Sequence, residues 1–108
     1  ERFIDDSRYA AAFVRDKIAL SGWGPYKIRT ALAAKGVARE IIDEALSECD
    51  RAKMDNRLDT MLRRKLGSLR GGTAYERRAK LMRYGLSLGY DYSAVADRVE
   101  DMIKEEND

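Results

Sequence analysis

The chain has 108 residues, of which 44% are hydrophobic and 37% are charged, so it fits one globular domain or two very small ones. The absence of histidine excludes imidazole-based catalysis and histidine-ligated zinc. The single cysteine, Cys49, excludes an internal disulfide and a CxxC metal site, and no apolar run approaches the roughly 18 residues of a membrane span. We therefore expect a cytoplasmic protein that is not an enzyme and that uses no cofactor, metal or membrane.

The charges are unevenly distributed along the chain, although the net charge is only +2. Residues 51–90 carry 11 basic and 3 acidic side chains, whereas residues 91–108 carry 2 basic and 7 acidic ones. The basic segment predicts attraction to phosphate backbones or to an acidic protein face. A solvated helix surface that the acidic tail balances is the alternative interpretation.

Apolar residues recur at helical spacing through the first fifty residues, and strands have little support. Asp5 and Asp6 can cap a first helix, which ends near Leu20. Pro25 is well placed at the first position of a second helix, which Gly36 ends, and a third helix follows. The residues predicted to face inward on these helices are Tyr9, Phe13, Val14, Ile18, Ile28, Ala31, Leu32, Ile41, Ile42, Ala45 and Leu46.

The helical pattern begins again after Cys49. A fourth helix is predicted as far as a loop at residues 67–72. Thr73 and Glu76 have the spacing of a capping box for a fifth helix, which stops at Gly89, and Asp91 can cap a sixth helix. The residues predicted to face inward are Met54, Leu58, Met61, Leu62, Leu66, Leu81, Met82, Leu86, Tyr90, Tyr92, Val95, Ala96, Val99, Met102 and Ile103.

The two halves of the chain are related by a weak internal repeat. A constant offset aligns Gly36 with Gly89, just as it aligns Ile28 with Leu81. The sequence therefore predicts an all-α protein of two tandem three-helix units, residues 1–50 and 51–108. Because each unit is too small to bury much surface alone, the units should stack into an elongated, curved helical array.

Two basic clusters lie on successive helices of the second unit. Both clusters should face solvent. If those helices are antiparallel neighbours, the clusters lie near the same long loop and form one basic surface that binds phosphates or the acidic residues of a partner. Alternatively, the first cluster only complements the dipole of its own helix. The residues concerned are Arg63, Arg64, Lys65, Arg77, Arg78, Lys80 and Arg83.

In the first unit the basic residues are scattered among acids. Trp23, between two glycines, can stack on a base or fill a partner's pocket, although burial in the core or between the units is the favoured interpretation. Arg8 and Arg15 share a helix face and have Asp16 and the helix-entry acids as available partners. The first-unit candidates for binding are Arg8, Arg15, Trp23, Lys27, Arg29 and Lys35.

Three pieces of sequence stand in a specific order and spacing: Phe3-Ile4-Asp5-Asp6-Ser7-Arg8-Tyr9-Ala10, Gly22-Trp23-Gly24-Pro25 and Lys35-Gly36-Val37. Together they resemble the RecX family, and the resemblance covers about the first fifty residues. The second unit resembles that family's more variable third repeat. The resemblance implies tandem three-helix repeats that bind the RecA filament on single-stranded DNA and modulate it, most often by inhibition, in homologous recombination and DNA repair.

Members of that family generally carry a further N-terminal repeat. Since the chain begins with Glu1, we expect a piece of a longer protein from which that repeat is absent. A monomer is expected. Two rival hypotheses remain, namely a three-helix domain that recognises DNA directly and a structural scaffold whose basic segment pairs with an acidic chain.

Overall fold

The computed structural model describes residues 5–107, in which six α-helices are joined by short connections. The prediction of an all-α protein is confirmed. Phe3 and Ile4, which contribute to the resemblance, lie outside the described residues. The helices are α1 (Asp6–Asp16), α2 (Pro25–Ala34), α3 (Arg39–Ser47), α4 (Arg51–Ser68), α5 (Ala74–Ser87) and α6 (Tyr92–Asn107).

Local signals place most of the helix ends. Asp5 caps α1, because its side chain accepts hydrogen bonds from the backbone N–H groups of Ser7 and Arg8. Pro25 occupies the first turn of α2, as predicted. The capping box before α5 is also confirmed, since the Thr73 side chain accepts from Glu76 N and the Glu76 side chain accepts from Thr73 N.

Two helix boundaries differ from the predictions. The α-helical geometry of α1 ends at Asp16, and residues Lys17–Ser21 form one π-helical turn that Gly22 closes with a φ of 71°. The loop predicted at residues 67–72 begins later, because α4 continues through Gly67 to Ser68. Gly67 lies in open space within the helix, so its missing side chain costs helix propensity without breaking the hydrogen bonds.

The glycines that the repeat aligns have the same role. Gly36 has a φ of 88° and Gly89 a φ of 100°, values that favour glycine over any other residue. The residue after each glycine reaches back with its N–H to a carbonyl five positions earlier, from Val37 to Leu32 and from Tyr90 to Gly85. Both helices therefore end in the same left-handed cap.

Two groups of buried side chains form separate cores. Half-buried Ile18 and Cys49 pack against both of them. Most of the residues predicted to face inward are buried, but Tyr9 (39% exposed), Leu86 (42%) and Tyr92 (67%) are not, so these three predictions are wrong. The first core comprises Ala10, Val14, Ile28, Leu32, Val37, Ile42 and Ala45. The second comprises Met54, Leu58, Leu62, Leu81, Leu88, Tyr90, Val95, Val99, Met102 and Ile103.

A joint of backbone hydrogen bonds links the two cores. Gly24 N donates to the Leu88 carbonyl at 2.7 Å, and Tyr26 N donates to the Gly89 carbonyl at 2.9 Å. The Tyr90 hydroxyl lies 3.3 Å from the Trp23 carbonyl and within hydrogen-bond distance of a second carbonyl on α4. The loop before α2 is therefore fixed to the loop before α6.

The molecule is a rod, with extents of 56 × 22 × 21 Å. The prediction of an elongated arrangement is confirmed. In the part of the chain that the structure describes, no helix combines the length and the apolar character needed to cross a membrane.

Tyr90 gives the joint a measurable dependence on pH. Burial raises the pKa of its hydroxyl from 10 to about 12. The folded state therefore holds this proton more tightly, and the stability that follows is complete below about pH 10 and is lost as the pH rises through about 12. By pH 11.5 we expect the native protein to lose about 2 kcal/mol more unfolding free energy than Tyr90→Phe, which has no proton to lose. Urea unfolding of both proteins from pH 9 to 11.5 tests this, and parallel pH profiles would contradict it.

Candidate functional site

Five side chains of the first unit form a cluster in which lysines surround two aromatic rings. The Phe13 and Trp23 rings meet edge to face, with their centroids 6.3 Å apart. Lys17 Nζ lies 4.6 Å from the Trp23 centroid and 5.4 Å from the Phe13 centroid. Lys27 Nζ lies 4.7 Å from the Trp23 centroid, and Lys35 Nζ lies 5.9 Å from that of Phe13. We call these five residues the lysine–aromatic cluster.

The local fold explains how the lysine–aromatic cluster forms. Phe13 and Lys17 are four residues apart, so they lie on successive turns of one helical segment. The left-handed turn at Gly22 then returns the chain so that Trp23 packs against Phe13. Lys27 lies near the start of α2, and Lys35 lies directly after its end. Because eight residues span little more than two helical turns, the two side chains lie on nearly the same side of the helix.

The lysine–aromatic cluster concentrates positive charge without a counterion. No carboxylate in the described part of the chain lies within 4.0 Å of any of its three ammonium groups. Lys17 and Lys27 both lie over one ring, so their charges are within about one Debye length, roughly 10 Å, of each other. Ring faces attract ammonium groups but do not neutralise them. The arrangement can therefore bind an anion.

The structure brings some predicted first-unit residues together and separates others. Trp23, Lys27 and Lys35 meet in the lysine–aromatic cluster, whereas Lys17 and Phe13 were not predicted as site residues. The spacing of Phe13 and Lys17 was the available signal. The remaining candidates lie elsewhere, with Arg8 exposed at the start of α1, Arg15 beside a cleft of about 500 Å³ between α1, the end of α3 and α4, and Arg29 paired with Asp43.

Three arginines of the predicted basic surface face carboxylates of α6. Arg63 Nη1 donates to Glu105 at 3.0 Å, and Arg77 Nη2 donates to Glu106 at 2.9 Å. Arg78 Nε lies 2.9 Å from a Glu100 oxygen without hydrogen-bond alignment, and its Nη2 donates to the other oxygen at 3.4 Å. Hydrogen bonds from Arg63 to Glu105 and to Asp59 raise the pKa of its guanidinium, so it stays charged at any physiological pH.

The other four residues of the predicted basic surface form no such ion pair. No carboxylate of the described chain lies within 4.0 Å of them. The expectation that all seven face solvent is wrong for Lys65, Arg77 and Arg78, which are half-buried. Lys65 lies with its Nζ 5.3 Å from the centroid of the Tyr84 ring. The unpaired basic set on α4 and α5 is Arg64, Lys65, Lys80 and Arg83.

The lone thiol lacks the features of a nucleophile. Cys49 is half-buried at the end of the first unit, and its Sγ donates to the Leu46 carbonyl. Burial raises the pKa of the thiol, so it is protonated at neutral pH. Binding through charge is the chemistry that the described side chains support.

Comparison with known proteins identifies the family. Residues 5–46 match the family model described as RecX, second three-helix domain. A Regulatory protein RecX from Clostridium botulinum strain Eklund 17B is 38% identical over 103 residues, which cover 94% of this chain and 48% of that protein. The chain belongs to the RecX family.

Two further relatives carry the same name, Regulatory protein RecX. One from Escherichia coli strain SE11 is 32% identical over 95 residues, which cover 88% of this chain and 55% of that protein. One from Halalkalibacterium halodurans is 29% identical over 109 residues, which cover 100% of this chain and 41% of that protein. The chain thus spans about half the length of the curated relatives it matches. No solved structure matches the chain.

The RecX family match and the lysine–aromatic cluster fall on the same segment. Residues 5–46 contain α1, α2 and nearly all of α3, so they include every member of the cluster. The unpaired basic set and the three paired arginines lie beyond that segment, although the similarity to the named relatives continues through them. The two positive surfaces are therefore carried by different parts of this RecX chain.

Proposed function

We propose that this chain takes part in regulation of the RecA recombinase, and that it does so by binding along the RecA filament on single-stranded DNA. In this proposal, binding lowers strand exchange and ATP hydrolysis. The observation that carries it is the similarity to proteins named Regulatory protein RecX over nearly the whole chain.

The shape of the molecule supports a filament partner. A rod 56 Å long that is fixed at its joint holds distant charged surfaces in a set relation. The lysine–aromatic cluster offers positive charge in the first unit, and Arg64, Lys65, Lys80 and Arg83 offer it in the second. Such a rod can contact two neighbouring protomers, or protein and DNA, at once, and the second contact then gains from the effective concentration that the first creates.

The organisation of the chain into two structural units is part of the proposal. Residues 1–50 and 51–108 act as two three-helix units of one monomer, each with a core of its own. The chain acts by occupying a surface rather than by catalysing a reaction, with no cofactor. Direct recognition of DNA sequence has less support, because α5 presents arginines without asparagine or glutamine partners for reading base edges.

A binding experiment with three targets tests the proposal. The fluorescently labelled chain is titrated with RecA filaments on oligothymidine, with the same DNA alone, and with RecA alone, at one salt concentration. We expect tightest binding to the filament, accompanied by slower RecA ATP hydrolysis. Equal binding to naked DNA would favour the direct DNA-binding hypothesis instead, and no binding to any target would contradict both.

A further inference from the structure

The ion pairs between α6 and the arginines lie at the surface of the second unit. The side chains of Arg63 and Glu105 are 50% and 58% exposed, and those of Arg77 and Glu106 are 22% and 33% exposed. Exposed ion pairs are individually weak and exchange with other partners. A solute that carries anionic oxygens can therefore reach the Arg63 guanidinium directly, whereas the less exposed Arg77, which also donates to the Gly72 carbonyl, becomes reachable when Glu106 moves away.

Apolar packing holds α6 in place without the ion pairs. Val95 and Val99 of α6 are fully buried against Leu81 of α5. Gly85 lies so close to Val95 that an added Cβ would come within 2.6 Å of a Val95 methyl group. The helix can stay docked while the carboxylates near its end release the arginines.

The paired charges also stand at helix ends that disfavour them. Arg77 and Arg78 are in the first turns of α5, where the macrodipole is positive, and Glu105 and Glu106 are in the last turn of α6, where it is negative. Acidic residues at the start of α5 and basic residues at the end of α6 would interact more favourably with the two helix dipoles. The observed arrangement adds the positive end of α5 to the arginines, and so it strengthens the attraction of this face for anions.

A guanidinium group binds carboxylate and phosphate oxygens with the same planar hydrogen-bond geometry, often through two bonds. Phosphates of a nucleic acid have a further advantage, because each contact releases condensed counterions. We propose that Arg63, Arg77 and Arg78 form a second phosphate-binding surface for single-stranded nucleic acid, which the carboxylates of α6 cover in the free protein. This surface is distinct from the unpaired basic set, and the inference rests on the proposed function only in its choice of nucleic acid as partner.

The carboxylates of α6 then compete with nucleic-acid phosphates for the arginines. A strand must displace Glu100, Glu105 and Glu106 to reach the arginines, so isolated anions bind poorly while a polyanion of closely spaced phosphates binds well. The acidic end of the chain therefore lowers the affinity of the second unit for nucleic acid.

Neutralising two acidic residues of α6 tests whether its carboxylates compete with nucleic acid for the arginines. A second double variant of the same helix is the matched control. Glu105→Gln/Glu106→Gln removes the α6 carboxylates that face Arg63 and Arg77, while Arg63 keeps its hydrogen bond to Asp59 on α4. Asp97→Asn/Asp101→Asn removes two charges from the same helix, and neither aspartate forms an ion pair with a described residue. The probe is labelled oligothymidine without RecA, so the result does not depend on filament binding.

We expect the glutamine variant to bind oligothymidine roughly three- to tenfold more tightly than the native chain, and the asparagine control to change less than about twofold. The salt dependence should steepen, by up to about 1.4 in the log–log slope for two added phosphate contacts. Adding Arg63→Gln/Arg77→Gln to the glutamine variant should abolish the gain, as a double-mutant cycle requires.

Several results would overturn the inference. Equal gains in the two variants would mean that only net charge matters, and unchanged affinity in both would mean that the arginines bind no phosphate. Competition by polyglutamate as strong as by unlabelled oligothymidine would assign the surface to an acidic protein instead. Thermal unfolding of each variant checks folding, and if the glutamine variant is unfolded, Glu100→Gln, which releases only Arg78, decides by the same criteria.

Discussion

Replacing Gly24 or Gly89 with alanine is expected to destabilise the protein by about 2–4 kcal/mol. A Cβ at Gly24 would lie 2.6 Å from the Gly89 carbonyl oxygen, and a Cβ at Gly89 would lie 2.4 Å from Lys27 Cβ and 2.6 Å from its backbone nitrogen. Both clashes involve atoms near the backbone, so a change of side-chain rotamer cannot relieve them. Gly89 also has a φ of 100°, which adds conformational strain in alanine.

Gly67→Ala is the matched control for this prediction. It adds the same methyl group, but nothing lies within 4 Å of the new atom, and the position is inside α4. We expect Gly67→Ala to stabilise the protein by about 0.5–1 kcal/mol, since alanine favours the helix more than glycine does. Urea unfolding monitored by circular dichroism measures all three variants.

Unfolding of the Gly24→Ala and Gly89→Ala variants also tests whether the joint holds the two units together as a rigid rod. We expect the native chain to unfold in one transition. If Gly24→Ala or Gly89→Ala separates the units, the two cores should instead unfold in distinct transitions. A Gly24→Ala protein as stable as the native chain would contradict the close packing of the two loops. The contacts that define the joint, and with them the fixed spacing of the charged surfaces, would then be contradicted.

Signals within a few residues of each other made much of the fold predictable. Asp5, Pro25 and the pair of Thr73 and Glu76 each act on the backbone beside them, so they mark helix starts whatever the rest of the chain does. Gly36 and Gly89 mark helix ends for the same reason. Apolar spacing then identified the stripe of each helix that is buried, because a stripe must be covered to be stable.

Features that depend on how one helix lies against another were not predictable. Tyr92 is the first residue of α6, where no neighbouring helix covers the apolar stripe. Leu86 lies at the edge of the packed face of α5. The pairing of Arg77 with Glu106 depends on the rotation of α6 about its axis, which spacing within α6 does not determine. The sequence therefore did not predict that three arginines of the basic surface face carboxylates of α6.

Removing two charges of the lysine–aromatic cluster should have the largest effect on filament binding. We expect Lys17→Gln/Lys27→Gln to weaken binding to the RecA filament on single-stranded DNA by roughly tenfold and to lower the log–log salt slope by about 1.4, as the loss of two phosphate contacts requires. Both ammonium groups lie over the Trp23 ring without a carboxylate partner, so their charge is available to a ligand. Glutamine keeps a polar, uncharged side chain that is one bond shorter than that of lysine, and the core beneath the rings stays filled.

Arg51→Gln/Arg98→Gln removes the same net charge at residues that already have partners. Arg51 Nε lies 3.9 Å from an Asp55 oxygen, and Arg98 Nη1 lies 3.9 Å from an Asp59 oxygen. Their charge is offset locally, and we expect this control to weaken filament binding less than about threefold, with little change in salt slope. Equal losses in the two variants would show that the filament responds to net charge alone. A loss confined to the lysine variant would instead place the contact at the lysine–aromatic cluster, where the local geometry of α1, the π-helical turn and α2 gathers three like charges.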